Sequence, residues 1–519
     1  MKHTRNDDPS RPFYSNIVDK KKRRTEKPAS RGQGREEGRS GRPRTASDES
    51  APRANAPRSE DRRSGRPGSS RSGAAPRSGV PRPSSHRPDA DRPRTAPVRY
   101  PFDAPPSGDP VFGQLSPETR ALLEDFHTLV QQSLPLDSKK LQGLPQAVRE
   151  LSHTLTDERS TRRVGYLNEP SVISAYIRYY MWWNLVRLTR LFASLPLELA
   201  DGDAAVDLGS GPLTVLIALW MARPDLRNKK LLWYCVDISQ GVLSAGEELF
   251  LSLAAKTGHE PWQIIRIKGE FGVSVKRKVQ FVSSANMFNE LFWDLADPIE
   301  AVAKKHAREL VTYAAESARI LVIEPGVPVC GRFVSLLRDS LMRLGFQALS
   351  PCPHDGPCPF PGMKNGKWCH FVFNTGDAPA KLHKLSEDAG LAKDRAALSF
   401  VFASRTQASV EGETEAAGVE SSPSTIVARL NTLVGRLPVR IVSDPIRLPD
   451  YHVGRYGCSR LGMVLLTGTY QAADYLETCH SGSLIEVDAP PVSNPRRDEK
   501  SGAILVPLGK PSPGKGPRR

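Results

Sequence analysis

Four cysteines are spaced for metal chemistry. Cys352 and Cys358 bracket the run CPHDGPC, Cys369 follows in WCHF, and Cys458 lies downstream in RYGCSRLG. Pro351, Pro353, Pro357 and Pro359 keep the first stretch out of helix and strand, which leaves its backbone free to wrap around a metal. A set of thiolates suits an iron-sulfur centre or a zinc ion, and His354 and His370 stand close enough in sequence to replace one cysteine in a tetrahedral zinc site. Two further readings are open. Disulfides would need an oxidising compartment, which an odd count of seven cysteines in 519 residues and an amino terminus without an apolar leader argue against. Unligated buried thiols are the other. Cys235 sits inside the apolar run LLWYCVDIS as a small core residue, and Cys330 and Cys479 have no thiol neighbours in sequence.

A second constellation lies upstream. The run AAVDLGSGPLTVLIALWMA has the form of a buried strand, a glycine-rich turn and a helix. Gly209 and Gly211 leave room for a ligand to approach the backbone, and Asp207 at the strand's carboxyl edge can accept bonds around an amino-acid moiety. The spacing D-x-G-x-G resembles the first motif of S-adenosylmethionine-dependent methyltransferases. Thirty positions on, LLWYCVDIS ends in Asp237, where an acid can hold the two ribose hydroxyls of an adenosine. Catalytic candidates are weak: Asn289 and Glu290, in the turn after VQFVSSA, could position a substrate, but a carboxylate there is also a common helix N-terminal partner. The chain lacks the NPPY or DPPY tetrapeptide that clamps a target amine, and no cysteine is placed to attack a pyrimidine ring.

These residues need elements to hold them. Apolar strands alternate with helices through VQFVSSA and ARILVIEPG, which argues for a doubly wound parallel sheet, an α/β Rossmann-like methyltransferase fold, expected over residues 201–380 with the cysteine loop included. Ahead of it, residues 111–200 read as helical: LSPETRALLEDFHTLVQQSL starts with Ser116 as N-cap and Pro117 in the first turn. In YLNEPSVISAYIRYYMWWNLVRLTRLFASL, Arg178, Arg187 and Arg190 interleave with Tyr176, Tyr179, Tyr180, Trp182 and Trp183. That pattern can grip RNA, or it can be a core stripe at helical spacing. Behind the core, FVFASR, VRIVSDPIRL and MVLLTGTY suggest a small β-rich module over 381–485, interrupted by a polar insertion near 407–425.

The ends differ in composition from this body. Residues 1–100 hold 26 Lys and Arg against 12 Asp and Glu, an excess of 14 out of the formal +16 of the whole chain. With almost no Leu, Ile or Phe, an arm over 1–110 cannot bury enough apolar surface to offset ordering, so disorder is expected. It serves as an RNA-binding segment through counterion release or as a solubilising tail. Asp7, Asp8 and Asp19 argue against a mitochondrial leader. Residues 486–519 are expected to be a second disordered basic tail. No stretch reaches the roughly eighteen apolar residues of a membrane span, so a soluble, cytoplasmic monomer without membrane contact is expected, or a matrix protein if the source is eukaryotic.

DLGSGP, the NEL turn, IEPG followed by Arg338, CPHDGPCP, WCHF and the late GCS together resemble the methyltransferase-like assembly factors of the small ribosomal subunit, known from mitochondria and bacteria. The likeness runs from about Tyr166 to Gly468. It implies a 4Fe-4S cluster on Cys352, Cys358, Cys369 and, as the late fourth ligand, Cys458. It also implies an S-adenosylmethionine site at Asp207, Gly209, Gly211 and Asp237, and association with small-subunit ribosomal RNA and the pre-ribosomal small subunit. Three functions are carried forward: a maturation factor, an active ribosomal RNA methyltransferase, and a zinc-stabilised RNA-binding scaffold.

Overall fold

The structure is a computed structural model that describes residues 110–156, 166–291, 297–362, 366–405, 435–491 and 493–509. The expected basic arm and the insertion at 407–425 lie outside them.

The main sheet runs in the order β3-β2-β1-β4-β5-β8-β6. Its strands are β1 Ala204–Leu208, β2 Leu232–Asp237, β3 Gln263–Lys268, β4 Val279–Ala285, β5 Ala314–Pro325, β6 Phe346–Ser350, β7 Phe371–Asn374 and β8 Arg395–Arg405. The first five are mutually parallel. Their apolar runs read as continuous because both faces are covered: Ala205 of β1 packs into one core while Ala204, Val206 and Leu208 pack into the other. Helices Thr214–Ala222 and Gln240–Thr257, with the amino-terminal helices, cover the first face, and helices Ile299–Tyr313 and Pro328–Arg343 cover the second. A parallel sheet whose order turns at β1 and β4 places ligand at the carboxyl ends of those strands. With one reversed strand, β8, set between β5 and β6, this is the Rossmann-like methyltransferase fold.

FVFASR was expected in the carboxyl-terminal module; it is instead the heart of β8, so the core extends to Arg405 rather than stopping at 380. The reason is two-sided burial: Leu398, Phe400 and Phe402 face one core, Val401 and Ala403 the other. The amino-terminal helices form where the caps predict, with Ser116 Oγ accepting from Thr119 N at 3.1 Å. The expected single helix there breaks at Asp125 into Pro117–Glu124 and Phe126–Ser133. The aromatic stripe is core. Trp182, Trp183 and Tyr179 are buried, Arg178 donates to Leu134 O and Gln131 Oε1, and Arg190 lies over the Phe373 ring and pairs with Asp377, so these two cations are spent inside the fold and not on RNA.

The carboxyl-terminal module holds β9 Arg436–Ile441, β10 Ile446–Arg447, β11 Val453–Ser459, β12 Gly462–Gly468, β13 Leu484–Asp488 and β14 Ile504–Pro507, in the order β13-β9-β11-β12-β14 with β10 beside β11. All its pairings are antiparallel except β12 with β14. The tail expected from 486 is corrected here: β14 buries Ile504 and Val506 in the module's own core, and the described chain runs to Gly509.

Candidate functional site

Two groups of side chains stand out, one at the glycine turn and one at the thiols. The turn follows β1. Gly209 and Gly211 both have left-handed backbone, at φ 68° and 52°. Their surroundings differ. A β-carbon on Gly209 would lie 2.7 Å from Met287 Cβ, so its missing side chain makes room for that residue, whereas nothing stands within 4 Å of the same position at Gly211. Gly211 is thus where the backbone is open to a ligand. Helix Gln240–Thr257 presses against the turn at Gly246, whose absent side chain admits Pro212.

Asp237, at the end of β2, accepts from Gly211 N through one oxygen and from Ser239 N through the other, both at 2.9 Å. It braces the turn, and burial raises its pKa. Each oxygen keeps a lone pair for a further donor. Asp207 is 1% exposed; Oδ1 accepts from Ser283 Oγ at 2.7 Å, and Oδ2 has no hydrogen-bond partner among the described residues. Burial pushes its carboxyl up to about 7. On the adjacent strand end, Ser284 Oγ and Asn286 Oδ1 are also buried without partners. Unsatisfied polar atoms thus lie at the carboxyl ends of β1 and β4, the place the sheet order selects, with Asp207 and Ser284 on opposite faces of the sheet.

The weak catalytic candidates separate. Asn289 is buried, its side-chain amide donating to Asn286 O at 2.6 Å and its backbone N–H to Glu324 Oε2 at 3.1 Å, so it serves the turn. Glu290 is exposed at the rim, with its charge near the Tyr176 hydroxyl. Glu324, which ends β5 and was not singled out, is completely buried; it also accepts from Phe288 N at 2.9 Å, and burial pushes its carboxyl up to about 8. Its signal in the sequence was the acid in IEPG at a strand's end.

The thiols come together from distant parts of the chain. Cys352 and Cys358 lie on the loop after β6, Cys369 immediately before β7, and Cys458 on β11 of the other module. Cys458 packs with the core of the main sheet and not with the module interior. Burial is the main cause raising all four thiols, Cys352 to about 11, and Cys352, Cys369 and Cys458 are raised further by the neighbouring thiols. The four therefore share one electrostatic environment. Among the described residues, however, no three His, Cys, Asp or Glu side chains stand close enough to hold a single metal ion.

Two buried arginines flank this group. Arg338 donates to Gly356 O and His354 O, each at 2.6 Å, and to Asp339, while its Nε has no partner among the described residues. Burial alone would lower its pKa, but Cys352, Asp339 and Cys358 hold it above the ordinary value. Arg440 on β9 donates to Pro351 O at 2.8 Å and Gly482 O at 2.9 Å, and its charge reaches Cys352 and Cys369. His354 Nε2 lies 3.3 Å from Cys458 Sγ, and burial pushes the imidazole down to about 4. His370 is stacked on Trp368, centroids 4.7 Å apart, with Nδ1 3.2 Å from Trp368 O. All seven cysteines are free, and Cys235, Cys330 and Cys479 are buried.

Comparison with known proteins bears on both groups. The model of the family described as mitochondrial small ribosomal subunit Rsm22 matches residues 201–449, which contain the glycine turn and the first three thiols. Curated proteins give no match. Among solved structures, the chain is similar to a geranyl diphosphate methyltransferase in complex with GPP and sinefungin, at 10% identity over 43% of this chain and 78% of that one, with a TM-score of 0.26. It is similar to a ribosomal protein L11 methylase from Lactobacillus delbrueckii subsp. bulgaricus, at 17% identity over 33% and 74% of the two chains, TM-score 0.23. A SAM-dependent methyltransferase from Aquifex aeolicus matches at 16% identity over 48% and 98%, TM-score 0.21. At scores this low the fold rests on strand order and direction. No helix among the described residues is long and apolar enough to cross a membrane.

Proposed function

Residues 201–449 belong to the Rsm22 family, and from that premise we propose that the chain is a maturation factor of the small ribosomal subunit that binds ribosomal RNA, with S-adenosylmethionine at its glycine turn and a 4Fe-4S cluster on Cys352, Cys358, Cys369 and Cys458. The observation that carries the reading is that four thiols, Cys458 buried on the carboxyl-terminal module and the other three half-buried on the core, feel one another's charge between two buried guanidinium groups. Matrix localisation follows for a eukaryotic source, cytoplasmic for a bacterial one.

The four thiols suit a cluster, and zinc is the alternative. One zinc ion binds each thiolate at ~2.3 Å and so draws all its ligands into a single sphere; among the described residues no three His, Cys, Asp or Glu side chains form such a group. A four-iron cube takes each thiolate on a separate iron and leaves them farther apart. Its overall negative charge would suit the buried guanidinium groups of Arg338 and Arg440. When bound, such a cluster supplies cross-linking between segments far apart in sequence. The chain's own contribution is to hold the thiol loop: Arg338 ties it back through His354 O and Gly356 O, and Arg440 ties it to β9.

The glycine turn fits S-adenosylmethionine in the same sense. Asp237 retains lone pairs for ribose hydroxyls, and the partnerless atoms of Asp207 and Asn286 suit the ligand's ammonium group. These atoms also favour a second reading, an active ribosomal RNA methyltransferase. The two separate by methyl incorporation into immature small-subunit RNA, where a signal lost in Asp207→Ala identifies the enzyme. The first experiment is iron, zinc and acid-labile sulfide content with a visible spectrum on protein purified without oxygen. About four irons and four sulfides per chain are expected; zinc without sulfide would move the reading to the scaffold.

A further inference from the structure

The aromatic stripe of the amino-terminal helices leaves one tyrosine that the core does not account for. Helices Pro170–Ala175 and Trp182–Phe192 are joined by Tyr176–Met181, a stretch wound as a π-helix. Such turns are rare, and they are found frequently at functional sites. The polar tips of three neighbouring rings are used inside the fold: Tyr179 Oη donates to Leu391 O at 3.2 Å, Trp182 Nε1 to Leu123 O at 2.9 Å and Trp183 Nε1 to Ser386 Oγ at 3.1 Å. Tyr176 differs. It is half-buried, its ring is stacked on Tyr180 with centroids 5.7 Å apart, and its hydroxyl has no hydrogen-bond partner among the described residues.

Two observations place this hydroxyl at the glycine turn. The chain that leads into the π-helix is seated on the end of β2: Ser239 Oγ donates to Leu167 O at 3.0 Å while Ser239 N donates to Asp237, and Ile173 Cδ1 lies 3.4 Å from where a side chain on Gly241 would begin. The second is electrostatic. Burial raises the Tyr176 pKa, and the carboxylates of Glu290 and Asp237 raise it further, so the phenol stays a neutral donor. Those carboxylates stand on either side of the turn, because β1 lies between β2, which ends in Asp237, and β4, which leads into Glu290, with roughly 4.8 Å from each strand to the next. A hydroxyl within reach of both lies across the end of β1, where Gly211 is open.

We propose that Tyr176 is a binding residue of the adenosyl site, its hydroxyl donating to the oxygen of a ribose hydroxyl that itself donates to Asp237. The inference rests on the reading of the glycine turn as an S-adenosylmethionine site, and it adds a group from outside residues 201–449. A ribose hydroxyl carries one proton and two lone pairs. Asp237 takes the proton, and a lone pair is left that needs a donor. A neutral phenol supplies one, whereas an ionised carboxylate such as Glu290 can only accept. The amino-terminal helices thus complete the site, supplying one of the ligand's hydrogen bonds and covering its ribose.

The test uses the full chain and calorimetry with adenosylhomocysteine and with the analogue that lacks both ribose hydroxyls. Tyr176→Phe keeps the ring and its stack on Tyr180 and removes only the hydroxyl. It should weaken adenosylhomocysteine by roughly two- to tenfold and leave the affinity for the analogue, already lower, unchanged. The ligand-free melting temperature should not fall, because the hydroxyl removed has no partner in the fold. Equal affinity of the variant and the wild type for adenosylhomocysteine, or an equal loss for both ligands, overturns the proposal and leaves the site reading standing. A wild-type chain that binds neither ligand overturns that reading, and the proposal with it.

Discussion

The glycine turn and the thiol pocket are built on opposite plans. Every residue of the turn comes from the main sheet and its connections; Asp237 and Glu324 accept from backbone N–H groups, and Asn289 donates its side-chain amide to Asn286 O. The thiol pocket takes its fourth cysteine from β11, more than eighty residues after the third, and one of its arginines from β9. A site made within one sheet can form as that sheet forms. One made across two modules exists only when they dock, so whatever binds there reports on docking. On the proposed reading the turn binds ligand and the thiols hold the molecule together.

The largest effect expected follows from the thiols. Cys358→Ser should reduce bound iron from about four per chain toward none, abolish co-sedimentation with small subunits, and leave adenosylhomocysteine binding at the turn intact. Normal co-sedimentation of the iron-free variant would collapse the distinction between the two sites. Arg338→Met should come next. It removes the donors to His354 O and Gly356 O and costs about 3 kcal/mol by denaturant midpoint, with reduced iron retention. Arg338→Lys should not rescue it, since a single ammonium lacks the planar fork that reaches both carbonyls.

At the turn the expected effect is smaller and depends on pH. Asp207 has its carboxyl pushed up to about 7, from the ordinary range near 4 in the unfolded chain. A raised folded pKa means the folded state binds the extra proton, so this group's stabilisation is complete below about pH 4 and is lost as pH rises through about 7. Asp207→Asn should therefore flatten the stability profile across that window, by on the order of 2 kcal/mol, and weaken adenosylhomocysteine binding about tenfold by calorimetry. A profile as steep as the wild type's would assign the pH dependence to other groups such as Glu324.

The same contrast sets what could be read in the sequence. DLGSGP and Asp237 are local signals: a strand, a turn and an acid at fixed spacing, and in the structure Gly211 N of the turn donates to Asp237. The cysteines were visible as residue types, but Arg440 was not, because nothing near VRIVSDP marks an arginine that meets a loop ninety residues earlier. FVFASR was placed in the wrong module because a strand buried on both faces has no alternation to reveal its partners. β14 was hidden for a different reason: AILVP is a short apolar run between NPRRDEK and a basic tail, and its pairing with β12 is a tertiary fact.

The smallest prediction tests whether the thiols are what joins the modules. Arg395 of β8 and Asp444, after β9, also cross between them as an ion pair of 2.6 Å, each side chain 40% exposed. A pair that wet is screened by salt and worth about 0.5 kcal/mol. Arg395→Ala should lower the denaturant midpoint by no more than that, with the loss vanishing in ~1 M salt, where screening reaches ~3 Å, and iron content should not change. A loss comparable to that of Cys358→Ser would mean that surface charge, and not the buried pocket, sets how the carboxyl-terminal module docks on the sheet. The comparison on which the two sites were assigned their roles would then fail at its structural half, while the glycine turn, which makes no use of that module, would keep its own.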